Sequence, residues 1–341
     1  MQVVHDHRLA TWSGAAVTIG NFDGVHVGHR ALTSRAIEPA RAGNLTAVAL
    51  TFEPHPAAVL GQRAPARLSS AARKLELLAD AGLDATVVEP FTRELAALTP
   101  EAFLDQVLLG ALRARAIVVG YDFNYGCARA GTIDTLRAHG ARAGIEIAVV
   151  SPVEVDGTVA SSSKIRSCLG AGTLADATRL LGRAWDVDGV VVHGAKRGRA
   201  IGIPTANIAP DSDLPLAPGI YAVTLAVEGG PPLPAVASLG TNPDIRRGRS
   251  PGPRGPRARL GWRPLRSPRA HDVRRADPRR AQVHDGRGAG RADSRRHRAR
   301  PRAATVNRPD HFVELRLTDD QESAYCFNAW DLCGLHGMRQ W

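Results

Sequence analysis

The stretch Gly20–His29, GNFDGVHVGH, decides how this chain reads. It follows an apolar run, Ala15–Ile19, of the kind expected for a buried strand. It ends on two histidines three residues apart, His26 and His29, at what reads as the start of a helix. Gly20, Gly24 and Gly28 let the backbone turn sharply and come close to a ligand. Free N–H groups at a helix start favour anions, and two imidazoles beside them can donate to phosphate oxygens. The combination predicts a cradle for a triphosphate, built from Gly20, Asn21, Phe22, Asp23 and Gly24 and closed by the two histidines. When an α-phosphorus is attacked by a second substrate, no enzyme nucleophile is required. Catalysis is then positioning and charge neutralisation, and His26 and His29 are the expected transition-state stabilisers. The alternative is a glycine-rich turn beside two surface histidines.

Outward from this turn, strand-like and helix-like segments alternate as far as Gly182. Leu45–Phe52, Ala85–Val88, Ala116–Val119 and Ile145–Val150 read as strands. Ala71–Ala81, Glu101–Ala114 and Gly131–Arg142 read as helices. Such alternation predicts an α/β fold: a doubly wound parallel sheet with helices on both faces and ligands at the carboxyl ends of its strands. Gly20–His29, TFEPHP (Thr51–Pro56) and VGYDFNYG (Val119–Gly126) all fall at such ends. In the last, Asp122 and Asn124 are placed to face a ribose or magnesium, with loop packing as the alternative. SSSKIR (Ser161–Arg166) precedes a helical stretch. Its serines can cap that helix, or join Lys164 and Arg166 in holding β- and γ-phosphates.

From Trp185 the texture changes. Val187–His193, Gly219–Val227 and Ala235–Leu239 read as strands between Gly/Pro-rich turns, which predicts a small all-β barrel beginning near Gly182–Trp185. HGAKRGRAIGIPTAN (His193–Asn207) combines a basic glycine-rich loop with oxygen donors. Lys196, Arg197 and Arg199 suit phosphates, and Thr205 and Asn207 suit a hard cation; a solvated basic hairpin is the alternative. His311–Leu317 reads as one more strand without a visible partner.

The chain has 341 residues, enough for two domains with their own cores. It holds no apolar run long enough for a membrane span, and its start lacks the pattern of a signal peptide. Its four cysteines lack metal-site spacing, which fits a reducing cytoplasm. The net charge of +11 suggests a nucleic-acid partner, but its distribution argues against one. Residues 246–303 carry 20 Arg, no Lys, four Asp and no Glu, a net charge of +16. The rest holds 44 − 20 = 24 basic and 33 − 4 = 29 acidic residues, net −5. One segment therefore supplies the whole excess. It contains seven Pro, seven Gly and only four residues from Leu, Ile, Val and Phe, too little apolar surface to offset chain entropy.

Taken together, these motifs resemble the bacterial bifunctional riboflavin kinase/FAD synthetase family, in the family's order from about Val17 to Asp244. GNFDGVHVGH, TFEPHP, VGYDFNYG with Arg129 and Gly131 after it, and SSSKIR followed by LLGR match its adenylyltransferase module. RGRAIGIPTAN, GIYAV (Gly219–Val223) and SLGTNPD (Ser238–Asp244) match its kinase module, a Greek-key barrel. The resemblance implies two steps that use ATP and magnesium: riboflavin to FMN, then FMN plus ATP to FAD plus pyrophosphate. It carries the triphosphate role onto His26, His29, Ser162, Ser163 and Arg166. It makes Phe52, His55, Asp122, Phe123 and Arg129 the candidates for a flavin and nucleotide cleft. It also puts ATP and magnesium on Thr205 and Asn207, with Arg197 and Arg199 nearby. The implied organisation is an adenylyltransferase domain over 1–184, the first part of a kinase barrel over 185–245, an aberrant segment over 246–304 and a tail over 305–341.

After Pro243 the chain departs from the family, whose next strand bears a glutamate that serves as base for the riboflavin hydroxyl, followed by a sequence like LDFDGDLYG. A shifted reading frame would account for the departure; a real insertion with a new function is the alternative. Arg259–Arg266, RLGWRPLR, permits codons which, read in another frame, spell LDWDGDLYG. That reading predicts an incomplete barrel, no kinase activity, open strand edges around Gly219–Leu239 and no ordered strand within 246–303. Two rivals stand beside the flavin enzyme: another nucleotidyltransferase with the HxGH motif, and a flavin-binding scaffold with a basic nucleic-acid-binding arm.

Overall fold

The computed structural model describes residues 1–192, 205–227, 230–239, 257–262, 313–317 and 325–330. The first part of the chain builds a six-stranded sheet from β1 (Gln2–His5), β2 (Ala15–Ile19), β3 (Thr46–Glu53), β4 (Ala85–Pro90), β5 (Ala114–Gly120) and β6 (Glu146–Val150). Its order is β1-β4-β3-β2-β5-β6 and every pairing is parallel. The alternation of strand and helix is therefore borne out. The edge strand β1 is an addition, too short for its pattern to stand out in the sequence.

The connecting helices are α1 (Val27–Ala42), α2 (Pro56–Val59), α3 (Ala71–Asp80), α4 (Arg93–Ala96), α5 (Pro100–Ala102), α6 (Ile133–Ala143), α7 (Ser162–Gly170) and α8 (Leu174–Leu181). Successive residues of the central strands serve opposite faces. Val17, Leu50 and Ile117 join one core with Leu104 and Leu108, while Ala16, Ala49 and Val118 join another with Leu32, Leu77 and Leu78. Burial on both faces is why β2 is apolar at every position but Thr18, which is itself buried. One expected element differs. The helix foreseen over Glu101–Ala114 is the short α5, capped by the Thr99 side chain, running into a π-helical stretch, Phe103–Ala111. Left-handed Arg113 then turns the chain into β5.

The strand order places the ligand crevice. From β2 the chain proceeds to β3 and β4 on one side, then crosses to β5 on the other, so the sheet switches direction between β2 and β5. Open parallel sheets bind ligands outside the carboxyl ends of the strands at such a point. The loops after β2 and β5 are GNFDGVHVGH and the YDFNYG stretch.

After a two-stranded hairpin, β7 (Glu154–Val155) with β8 (Thr158–Val159), comes an antiparallel sheet. It contains β9 (Asp186–Val192), β10 (Thr205–Pro210), β11 (Gly219–Val227), β12 (Leu233–Leu239), β13 (Arg257–Trp262), β14 (Val313–Leu317) and β15 (Tyr325–Trp330), in the order β12-β11-β13-β9-β10-β15-β14.

Three expectations are corrected here. The segment 246–303 was expected to hold no ordered strand, yet β13 lies inside it, paired to both β11 and β9. Ala258 and Leu260 are buried, and Arg259 between them reaches Asp188 at 2.7 Å. A six-residue alternation disappears in the average composition of 58 residues. The structural sign named for a shifted frame thus fails at this strand. The edge of β11 is accordingly covered by β13, leaving β12 at one end of the sheet. Last, β14 has a partner, β15.

The change of texture near Gly182–Trp185 is not a change of core. Leu68, Ile165, Leu169, Leu181 and Trp185 share one cluster with Val187, Ile208, Val223, Ala237 and Leu260. Trp185 Nε1 donates to the Leu68 carbonyl at 2.8 Å.

Candidate functional site

The turn after β2 is held by Asp23. Its carboxylate accepts from the backbone N–H groups of Leu68 (2.9 Å) and Ser69 (3.2 Å) and from Arg166 Nη2 (2.6 Å). Its carbonyl accepts from Ser162 Oγ at 2.9 Å. Asp23 and Ser162 were expected to bind phosphate. In this geometry the carboxylate, which would repel phosphate, ties α7 and the Leu68 loop to the turn, and the Ser162 hydroxyl is spent on the same task. Arg166 is fixed as a result, with Nε donating to the Ala66 carbonyl at 2.7 Å.

Two glycines of the turn are needed for different reasons. Gly24 has φ +81°, and a Cβ there would meet Leu68 Cδ1 at 2.9 Å. Gly28 lies under the His26 ring, 3.1 Å from where a Cβ would stand. Phe22 and Val25 hold positive φ without being glycine; both side chains are fully buried, and that packing sustains the strained backbone.

His26 is the N-cap of α1. Its Nδ1 accepts from the His29 N–H at 3.3 Å, so a neutral His26 carries its proton on Nε2. The two imidazoles stack with centroids 3.7 Å apart and 21° between planes, and the Phe22 ring meets His29 edge-on at 5.2 Å. Burial pushes His26 down to about 4, assisted by the charge of Arg166. Burial, then His26 and Lys74, hold His29 well below the ordinary histidine range. Both rings are therefore neutral near pH 7. His29 Nδ1 is buried without a hydrogen-bond partner among the described residues.

The other expected residues divide. His55, N-cap of α2 through Nδ1 to Ala57 N–H at 3.2 Å, lies close enough to Asp23 and Arg166 to feel both charges. Phe52 packs edge-on against Phe91. Phe123 stacks on Tyr125 at 5.5 Å, and the Tyr125 ring rests on Gly131. Asp122 and Arg129 are exposed on the same loop, and the Asn124 amide is turned back onto the Asp122 carbonyl at 2.8 Å. Gly20 donates to the Leu50 carbonyl, Asn21 is exposed, and Ser163 is exposed at the start of α7. Lys164 departs from expectation. Two residues from Arg166 on the helix, it lines a separate cavity of about 290 Å³ with Asp156, Ser167 and Arg179. Thr205 and Asn207 lie two apart on β10, whereas Lys196, Arg197 and Arg199 fall outside the described residues.

One residue of the site was missed. Lys74 is 7% exposed on α3, and its ammonium lies 3.1 Å from Thr51 Oγ1, 3.4 Å from the Asn21 carbonyl and 3.8 Å from Glu53. It stands three and four residues before the buried Leu77 and Leu78. A lysine within the apolar stripe of an amphipathic helix was the available signal.

The FAD synthetase family model matches residues 9–164, and the riboflavin kinase family model matches residues 181–251. The bifunctional riboflavin kinase/FMN adenylyltransferase of Escherichia coli strain K12 is 39% identical over 243 residues, covering 71% of this chain and 78% of that protein. The chain belongs to this bifunctional family. The member from Listeria monocytogenes is 37% identical over 251 residues, covering 71% of this chain and 79% of its own. A crystal structure titled as a macrolide-efflux protein from Streptococcus pneumoniae shares the fold. It has a TM-score of 0.67 and 27% identity over 77% of this chain and 90% of that one. Among the described residues no helix is long and apolar enough to cross a membrane. Family membership sets aside an unrelated nucleotidyltransferase with the HxGH motif, and places the chain among enzymes of flavin cofactor biosynthesis.

Proposed function

We propose that the crevice between β2 and β5 transfers the adenylyl group of ATP to FMN, giving FAD and pyrophosphate. The carrying observation is the stacked His26–His29 pair at the start of α1, flanked by Arg166. The His26 Nε2–H, oriented by the cap on Nδ1, and the Arg166 guanidinium are preorganised donors for charge that grows on the phosphates. The attacking oxygen belongs to the FMN phosphate, so the protein supplies position and field. The aromatic rings of Phe52 and Phe123 offer apolar surface for flavin or adenine, and Arg129 offers a cation for the FMN phosphate. Magnesium enters with ATP in this reading. Asp23 and Glu53 are each engaged by an arginine, so a cation at this cradle is bound chiefly through phosphate oxygens. In the second sheet, read as a Greek-key barrel, Thr205 and Asn207 provide the oxygen donors that a hard cation takes.

We infer further that riboflavin phosphorylation is lost. The strand that follows β12 in the described chain is β13, RARLGW, which holds no carboxylate to act as base, and similarity to the kinase model stops at residue 251. Purified full chain with magnesium and ATP is expected to convert FMN to FAD and to leave riboflavin unchanged. No FAD from FMN overturns the first reading; FMN formed from riboflavin at an enzymatic rate overturns the second.

A further inference from the structure

Lys74 is a buried cation that the reaction as derived does not use. Burial lowers its pKa, and an unpaired ammonium would not be kept there without partners; Glu53 opposes the shift from 3.8 Å. Its partners all belong to the site. Thr51 and Glu53 end β3, and the Asn21 carbonyl begins the phosphate-binding turn. Thr51 Oγ1 also donates to that carbonyl at 3.1 Å, so one oxygen of the turn is gripped from two sides. With the carbonyl drawn inward, the turn is held from behind, at the strand end beside His29.

We propose that Lys74 is a positioning residue for adenylyl transfer: its ammonium fixes the Asn21 carbonyl and the end of β3, and sets a buried positive charge behind the turn that receives the triphosphate. This rests on the adenylyl-transfer reading of the same site. A purely structural lysine would have different consequences. Removing one partner of a buried pair is costly when it strands the other charge, but Glu53 is 27% exposed and keeps Arg67 as its partner, so the desolvation penalty that disappears with the Lys74 ammonium offsets the loss. A charge kept for function should therefore be dispensable for folding and costly for turnover.

The test compares full-length wild type, Lys74→Met and Lys74→Arg. For Lys74→Met the melting temperature is expected to stay at or above that of wild type. Its kcat/KM for ATP is expected to fall at least about tenfold, the loss typical of one charge-assisted hydrogen bond, while KM for FMN changes less than about twofold. Lys74→Arg, which keeps the charge, is expected to recover part of the lost kcat/KM. Unchanged kcat/KM in Lys74→Met overturns the proposal. So does a loss of activity that tracks a fall in melting temperature, or an equal rise in KM for both substrates. Wild type that makes no FAD would instead overturn the adenylyl-transfer reading, so the two failures are separable.

Discussion

Arg73 on α3 and Asp186 on β9 form a nearly buried ion pair. Arg73 Nη2 lies 2.6 Å and Nε 3.0 Å from Asp186 Oδ2, and the two side chains are 15% and 10% exposed. Arg73 is the neighbour in sequence of Lys74. One turn of α3 thus grips β9 with one residue and the turn after β2 with the next. Arg73→Ala leaves Asp186 buried with Arg183, at 3.7 Å, as its remaining ion-pair partner among the described residues. It is expected to destabilise the protein by about 3 kcal/mol, the cost of breaking a buried pair. Urea unfolding of the full chain measures it; a change below about 1 kcal/mol would mean that solvent already screens the pair.

His29→Ala is expected to lower kcat for FAD formation roughly 100- to 1,000-fold while ATP affinity changes little, because the lost donor acts on charge that develops during the reaction. Steady-state kinetics with direct ATP binding separates the two. Equal losses in affinity and turnover would assign His29 to ground-state binding.

His26 has two tasks that substitutions can part. Asn can accept from the His29 N–H as an N-cap, whereas Ala cannot. His26→Asn should keep the melting temperature and lose turnover; His26→Ala should lose turnover and also about 1 kcal/mol of stability.

Acid should destabilise this domain through the same histidine. The unfolded chain takes up a proton near 6.5, the folded state only near 4, so between these values the unfolded state binds more protons. Stability then falls as pH drops from about 6.5 to about 4, by up to about 1.4 kcal/mol per unit, and His29 acts in the same direction. Urea midpoints measured across this range should flatten in His26→Asn. An unchanged slope in that variant would place the effect elsewhere.

A fragment ending at residue 184 removes Trp185, which is 1% exposed and bonded to the Leu68 carbonyl. Residues 1–192 should be more stable than 1–184 by about 3 kcal/mol, in the range for emptying a tryptophan site. Equal melting temperatures would show that the boundary lies before Trp185.

Much of the first domain was legible before folding. A short, mostly apolar run such as Ala15–Ile19, closed by Gly20, reads as a strand buried on both faces, and strands spaced by helical stretches leave the parallel sheet as the way to pair them. Position relative to strand ends followed, and with it the loops that carry His26, Phe52 and Phe123. These are local patterns or short-range consequences of them. Composition told less of the second sheet, because β13 is six residues inside an arginine-rich stretch and its alternation only counts once β9 and β11 stand on either side.

What each side chain does was decided by partners far away in sequence. Asp23 looks like a ligand of the phosphate loop until Leu68, Ser69 and Arg166 converge on it from 45 to 143 positions away. Lys164 and Arg166 look equivalent in SSSKIR, yet helical geometry sends them to different sites. Lys74 carries no motif at all, and its meaning appears only where α3 packs beneath the ends of β2 and β3. Sequence therefore determined most elements of the parallel sheet and the place of the turn after β2, since periodicity and turn chemistry are local. Tertiary structure assigned the roles, since charge and hydrogen bonding act between whichever groups the fold brings within about 3 Å.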